Sequence, residues 1–234
     1  MEEMKKKLEL SQTDKLNGLR AAVLGANDGV VSTAGLIFGV AGATNNKGAI
    51  FTAGLAGLIA GAISMAVGEY VSVSTQRDTE RAFIAREKKL LRKDPEGQLA
   101  DLAAFYEAKG VSQKTAMQFA RELTAEDPIK AHLEAELKLD EEDLTNPMTA
   151  AVASFFSFGL GAAVPLIAAV ASPDHTRIQI TLVAVVLGLF LTGYYSAKFG
   201  GANRKAAVLR VLIGGIVAMA VTYYIGHLFG TAIS

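Results

Sequence analysis

The sequence predicts an all-α membrane protein, with five transmembrane helices and a cytoplasmic helical domain inserted between helices two and three. Three observations carry that prediction. Hydrophobic residues make up 51% of the 234 positions, and they gather in five runs, each near the roughly 20 residues that cross a bilayer as a helix. Charge is segregated: 12 of the 23 basic and 16 of the 23 acidic residues fall between Arg77 and Asp143. Lys and Arg in the remaining short segments are also asymmetric, which orients the spans.

The first 18 residues form a hydrophilic tail containing Glu2, Glu3 and Glu9, without the short apolar core and small-residue cleavage site of a secretory leader. The five apolar runs are 19–41, 49–73, 149–171, 178–199 and 206–229. A soluble chain of this size would need nearly half its residues in helices apolar on every side. Lys5, Lys6, Lys7, Lys15 and Arg20 precede the body of span one, and Lys198, Arg204 and Lys205 separate spans four and five. The other short loops hold only Lys47 and Arg177. Five spans with a cytoplasmic N-terminus place every basic cluster on one side, the insert with them, and the C-terminus opposite.

Glycines four apart or closer, such as Gly35 with Gly39 and Gly54, Gly57 and Gly61, predict close backbone approach between spans. Pro165 in span three removes a backbone donor and is expected to kink or loosen that helix. No Gly or Pro interrupts Glu69 to Lys93, so span two is expected to continue beyond the membrane as a helix. Within the insert, Asp94 and Pro95 open a further helix with Leu99, Leu102, Phe105 and Tyr106 on one face. Gly110 ends it, Ser112 caps the next, and Asp127 with Pro128 opens another. The expected organisation is therefore a tail at 1–18, spans one and two at 19–73, the insert at 74–148, and spans three to five at 149–234.

Composition excludes several chemistries. Without cysteine there is no disulfide framework, thiolate zinc site or thiol nucleophile. Equal numbers of basic and acidic residues argue against nucleic acid as a partner. No nucleophile triad, paired-His zinc motif or phosphate-cradling loop is present, so the chain does not read as an enzyme.

Outside the tail and insert only Asp28, Glu69 and Asp174 are acidic. Asp174 falls in an outer loop, whereas Asp28 and Glu69 fall within spans. An ionisable side chain there costs about 2.5–3.5 kcal/mol, and such groups mark ion paths and proton relays. Met65 and Glu69, four residues apart, share a helix face. A thioether beside carboxylate oxygens suits a borderline transition metal better than magnesium or calcium. Asp28, Met65 and Glu69 are thus the candidate metal site, with Asp28 and Glu69 also carrying protons. One carboxylate does not readily hold both cargoes at once.

These residues lie in specific strings: LGANDGVVST at 24–33, SMAVGEYVSV at 64–73 and QRDTE at 76–80. In them the chain resembles the vacuolar iron transporter family, over nearly its whole length. The resemblance implies a homodimer with the ion path between subunits, and proton-coupled export of Fe²⁺, or of Mn²⁺ and related ions, from the cytosol. The ion is cargo, and no permanently bound cofactor is implied. Asp28 and Met65 match the family's intramembrane aspartate and methionine. The membrane would be the cell envelope in a prokaryote and the vacuolar membrane in a eukaryote.

The resemblance also implies metal capture by the insert. Glu87, Asp101 and Glu136 fall where acidic ligands are expected, and His132 stands in place of a methionine. Leu90 and Gln98 occupy two further acidic positions, which lowers the capacity of the insert for metal. The alternative from another class is a membrane-anchored metal-binding or sensing protein without transport. His227 reads as a packed polar residue and His175 as a loop residue.

Overall fold

The computed structural model describes residues 2–137 and 146–233, and side chains over 18–135 and 146–230. The tail lysines, the side chain of Glu136, the acidic residues from Asp140 to Asp143 and Ser234 lie outside the described side chains. The described residues form α1 (Glu2–Ala43), α2 (Lys47–Lys93), α3 (Pro95–Ala108), α4 (Gln113–Glu126), α5 (Pro128–His132), a π-helical turn (Leu133–Leu137), α6 (Pro147–Ala171), α7 (Arg177–Phe199) and α8 (Arg204–Ile233). No strand occurs among them.

Five helices are long and apolar enough to cross a membrane: Gly18–Ala43 of α1, then α2, α6, α7, and Arg204–Gly230 of α8. Large apolar side chains face outward along them, including Val67, Leu160, Leu187 and Phe229. Such faces are costly in water and matched to lipid. The chain divides into two compact units, one of residues 1–71 with 147–234 and one of residues 72–146. Helix α2 contributes to both. Its 47 residues rise about 70 Å, more than twice a hydrocarbon core of roughly 30 Å.

In the first unit α1 is the central helix, packed against α6, α7 and α8. Its glycines make that possible. A Cβ at Gly29 would run into the Phe158 carbonyl, and one at Gly161 into the Ala26 carbonyl, so α1 and α6 pack backbone to backbone. Farther along, Gly42 faces the Tyr223 carbonyl, and Gly226 of α8 faces the carbonyl of Gly39. Around these crossings Val30, Ala34, Phe38, Val185, Leu189 and Met219 form one buried cluster, and Ile37, Ile50, Leu166 and Ala169 another. Gly226→Ala is expected to force α1 and α8 apart at a cost of about 1–3 kcal/mol, read as a lower thermal midpoint in detergent.

Helix α2 meets its neighbours through side chains instead. Gly54 faces Leu166 and Ile37, Gly57 faces Leu36, and Gly61 faces the Phe158 ring. The wider spacing leaves room between α1 and α2. Helix α6 runs unbroken through Pro165, which is buried, so the expected local loosening does not interrupt the helix.

The turns after α1 and α6 are tied by one side chain that the sequence offered only as a loop cation. Arg177 is 3% exposed. Its Nε donates to the Ala169 carbonyl and its Nη1 to the Asn45 carbonyl, both at 3.2 Å, and its second terminal nitrogen pairs with Asp174. Arg177→Met leaves those carbonyls without this donor, and a destabilisation of about 1–3 kcal/mol per lost partner is expected. A thermal midpoint unchanged in Arg177→Met would remove the clamp.

In the second unit the turn signals start the helices. Asp94 caps α3 by accepting from Gly97 N at 2.9 Å, Ser112 accepts from Thr115 N, and Asp127 accepts from Lys130 N at 3.0 Å. Gly110 takes φ +92° after α3, a conformation that favours glycine. The core is Leu102, Ala103, Ala120, Ala131 and Ala135, with Leu99, Phe105 and Tyr106 packed against it.

Candidate functional site

Between α1, α2 and α6 lies a cavity of about 320 Å³. Helix α1 lines it with Asp28, Ser32 and Thr33, α2 with Gly61, Ser64 and Met65, and α6 closes the floor with Phe158. Small residues on α2 create the space, since Gly61 carries no side chain where the Phe158 ring approaches. The cavity brings together Asp28 and Met65, which are 37 positions apart in the chain.

The lining offers one carboxylate, three hydroxyls and one thioether, a mixed oxygen and sulfur set of the kind a divalent transition ion accepts. The Ser32 hydroxyl donates to the Asp28 backbone carbonyl at 2.5 Å, leaving its oxygen lone pairs available to an ion. Thr33 is 1% exposed, and its hydroxyl has no hydrogen-bond partner among the described residues. A buried hydroxyl in that state is costly without a visiting donor or cation. No cation among the described residues pairs with Asp28.

Asp28 is exposed in the single chain, as are Leu24, Ser32 and Leu36 at four-residue intervals on the same face. The carboxylate therefore opens outward from the helix bundle as well as into the cavity.

Glu69 is placed differently from the pairing read in the sequence. It does not line the cavity. Its Oε1 accepts from an Arg20 terminal nitrogen at 2.9 Å, with the carboxylate side chain 10% exposed and the guanidinium 60%. Arg20 was legible only as a flanking positive charge.

In the second unit Glu87 of α2 and His132 of α5 come together, with Oε1 and Nδ1 3.4 Å apart and both residues buried. Asp101 stays on the surface, where Gln98 Nε2 donates to it at 3.4 Å. Among the described residues no three His, Asp or Glu side chains converge as a metal cluster. The Glu136 side chain lies outside the described residues.

Sequence reasoning missed Thr33, Ser64 and Arg20. Signals for them existed. An antiparallel α1–α2 pair that sets Leu36 against Gly57 and Ile37 against Gly54 carries Asp28 to the level of Gly61 and Ser64, and Arg20 to that of Glu69.

A sequence profile of the VIT family matches residues 19–227. The vacuolar iron transporter of Acanthamoeba castellanii is 41% identical over 215 residues, covering 91% of this chain and 79% of that protein. Vacuolar iron transporter homolog 1 of Oryza sativa is 40% identical, covering 91% of this chain and 74% of its own length. Vacuolar iron transporter homolog 1 of Arabidopsis thaliana is 37% identical over 98% of this chain and 92% of its own.

Proposed function

The chain belongs to the VIT family, and from that premise we propose that it exports Fe²⁺, and Mn²⁺ or related divalent ions, from the cytosol across a membrane in exchange for protons. The observation that carries this reading is the single cavity holding Asp28, Met65, Thr33 and two serine hydroxyls between apolar helices. Each of its donors suits a dehydrated divalent ion, and Asp28 supplies the charge that repays part of its dehydration. Because proton and metal compete for the same oxygens, a proton bound from the far side releases the ion, and the two fluxes become linked.

The outward stripe of Leu24, Asp28, Ser32 and Leu36 supports a homodimer, in which a second copy covers the carboxylate and turns an open groove into a closed path. A lipid-facing aspartate is otherwise expensive. The Lys and Arg asymmetry supports a cytoplasmic N-terminus and cytoplasmic second unit. There the buried Glu87 and His132 pair is the proposed capture point, with Asp101 as an outlying carboxylate.

Purified chain in sealed vesicles tests the proposal. Fe²⁺ flux is expected to require an opposing pH gradient for full rate, with Mn²⁺ competing. Metal binding without flux would favour a membrane-anchored metal-binding or sensing protein instead.

A further inference from the structure

Beyond the cavity, two helical turns before Asp28 on α1 and one turn after Met65 on α2, the Arg20 guanidinium occupies the Glu69 carboxylate at 2.9 Å. Eight residues separate Arg20 from Asp28 on α1, a rise of about 12 Å, and four separate the cavity-lining Met65 from Glu69 on α2, a rise of about 6 Å. The ion pair thus joins the two helices next to one end of the cavity that holds Asp28 and Met65. Its two halves are unequal. Glu69 is largely enclosed, whereas Arg20 is 60% exposed and free to swing on a long side chain.

A second position lies within reach of the Arg20 side chain. Arg20 also lines a neighbouring cavity of about 400 Å³, together with Asn27, Thr192 and Ser196. The side-chain oxygen of Asn27, one of the residues lining it, is buried without a hydrogen-bond partner among the described residues. That oxygen is an acceptor for a donor not now beside it, and Asn27 lies two turns along the same helix. Five N–H donors on a planar guanidinium can satisfy it.

We propose that Arg20 is a specificity-determining residue: a built-in monovalent cation that holds Glu69 until a divalent ion displaces it, swinging then toward Asn27. The proposal rests on the transporter reading above. With Arg20 on Glu69, the approach to the cavity carries only the charge of Asp28. With Arg20 displaced, Glu69 and Asp28 together offer two negative charges along the route. A divalent ion gains from both, while a monovalent ion gains no more at Glu69 than the guanidinium it replaces. Discrimination by charge follows from competition for one carboxylate, with no demand on ion size.

The test uses the full chain in vesicles, with Fe²⁺ kept reduced and K⁺ varied on the loading side. Arg20→Gln is expected to lower the KM for Fe²⁺ by about fivefold, the factor equivalent to a partly exposed ion pair, and to make flux sensitive to K⁺. Asn27→Leu removes the second position and should raise the KM. The double exchange Arg20→Glu with Glu69→Arg rebuilds an ion pair but sets the cation on α2, and is expected to leave both properties abnormal. If the exchange restores the original KM and K⁺ insensitivity, the pair is a strut between α1 and α2 and the proposal fails. An unchanged KM in folded Arg20→Gln has the same meaning. Should Arg20→Gln not fold, Glu69→Gln reads the pair from its other side: a raised KM supports displacement, and an unchanged KM overturns it. Failure of the transporter reading looks different, since the unaltered chain would then carry no Fe²⁺ at all.

Discussion

Replacing Asp28 with asparagine is expected to cut Fe²⁺ flux on the order of 100-fold while the protein stays folded. A carboxylate about 4 Å from a cation is worth roughly 4 kcal/mol per unit of ionic charge at an effective dielectric near 20, and a loss of about 2.7 kcal/mol already amounts to that factor. The amide keeps the side-chain volume, so Phe158, Met65 and the hydroxyls around the cavity keep their places. Removing an outward-facing charge from an apolar helix also takes away a cost, and the thermal midpoint in detergent should hold or rise. That combination, full stability with lost flux, separates a transport role from a packing role. Near-normal flux in Asp28→Asn would reduce the carboxylate to scaffolding and take the proton coupling with it. Met65→Leu is the milder companion: it conserves volume but removes the soft ligand, so Fe²⁺ should suffer more than Mn²⁺, which favours oxygen.

The sequence was most informative where a physical signal is local. Apolar runs of membrane-crossing length mark all five long helices, since hydropathy is summed over neighbours in the chain. Asp94, Ser112 and Asp127 start their helices because an N-cap needs only a side-chain oxygen and a backbone N–H a few positions on. Asp28 stood out by chemistry alone, as a charge in apolar surroundings, whereas Met65 was legible through its four-residue spacing to Glu69 and the resemblance to the family's intramembrane methionine. What escaped notice depends on helix pairing. Glu69 shares a face with Met65 within α2, yet its partner is Arg20 of α1, and only the antiparallel register of the two helices sets them together. Thr33 is ordinary in the sequence and becomes informative only when burial leaves its hydroxyl without a partner. Arg177 belongs to the same class. Its value as a clamp comes from two carbonyls on separate turns, which no spacing rule points to.

The second large effect is expected at Glu87 and His132. There a carboxylate and an imidazole are buried with Oε1 and Nδ1 3.4 Å apart, an oxygen and a nitrogen of the kinds that bind a divalent transition ion. If this pair captures the ion on the cytoplasmic side, Glu87→Gln with His132→Gln should remove a cytoplasmic-side site in Fe²⁺ titrations of the full chain. It should also raise the KM for flux by about tenfold, equivalent to about 1.4 kcal/mol, with kcat preserved once metal is abundant. The contrast with Asp28→Asn is physical: a capture site raises the local ion concentration, whereas under the proposed function Asp28 is occupied during passage. Asp101→Asn should do much less, because that carboxylate is exposed and already accepts from Gln98. An unchanged titration in the double variant, with a lowered thermal midpoint, would make the pair a tie between α2 and α5, and metal would then reach Asp28 without a relay.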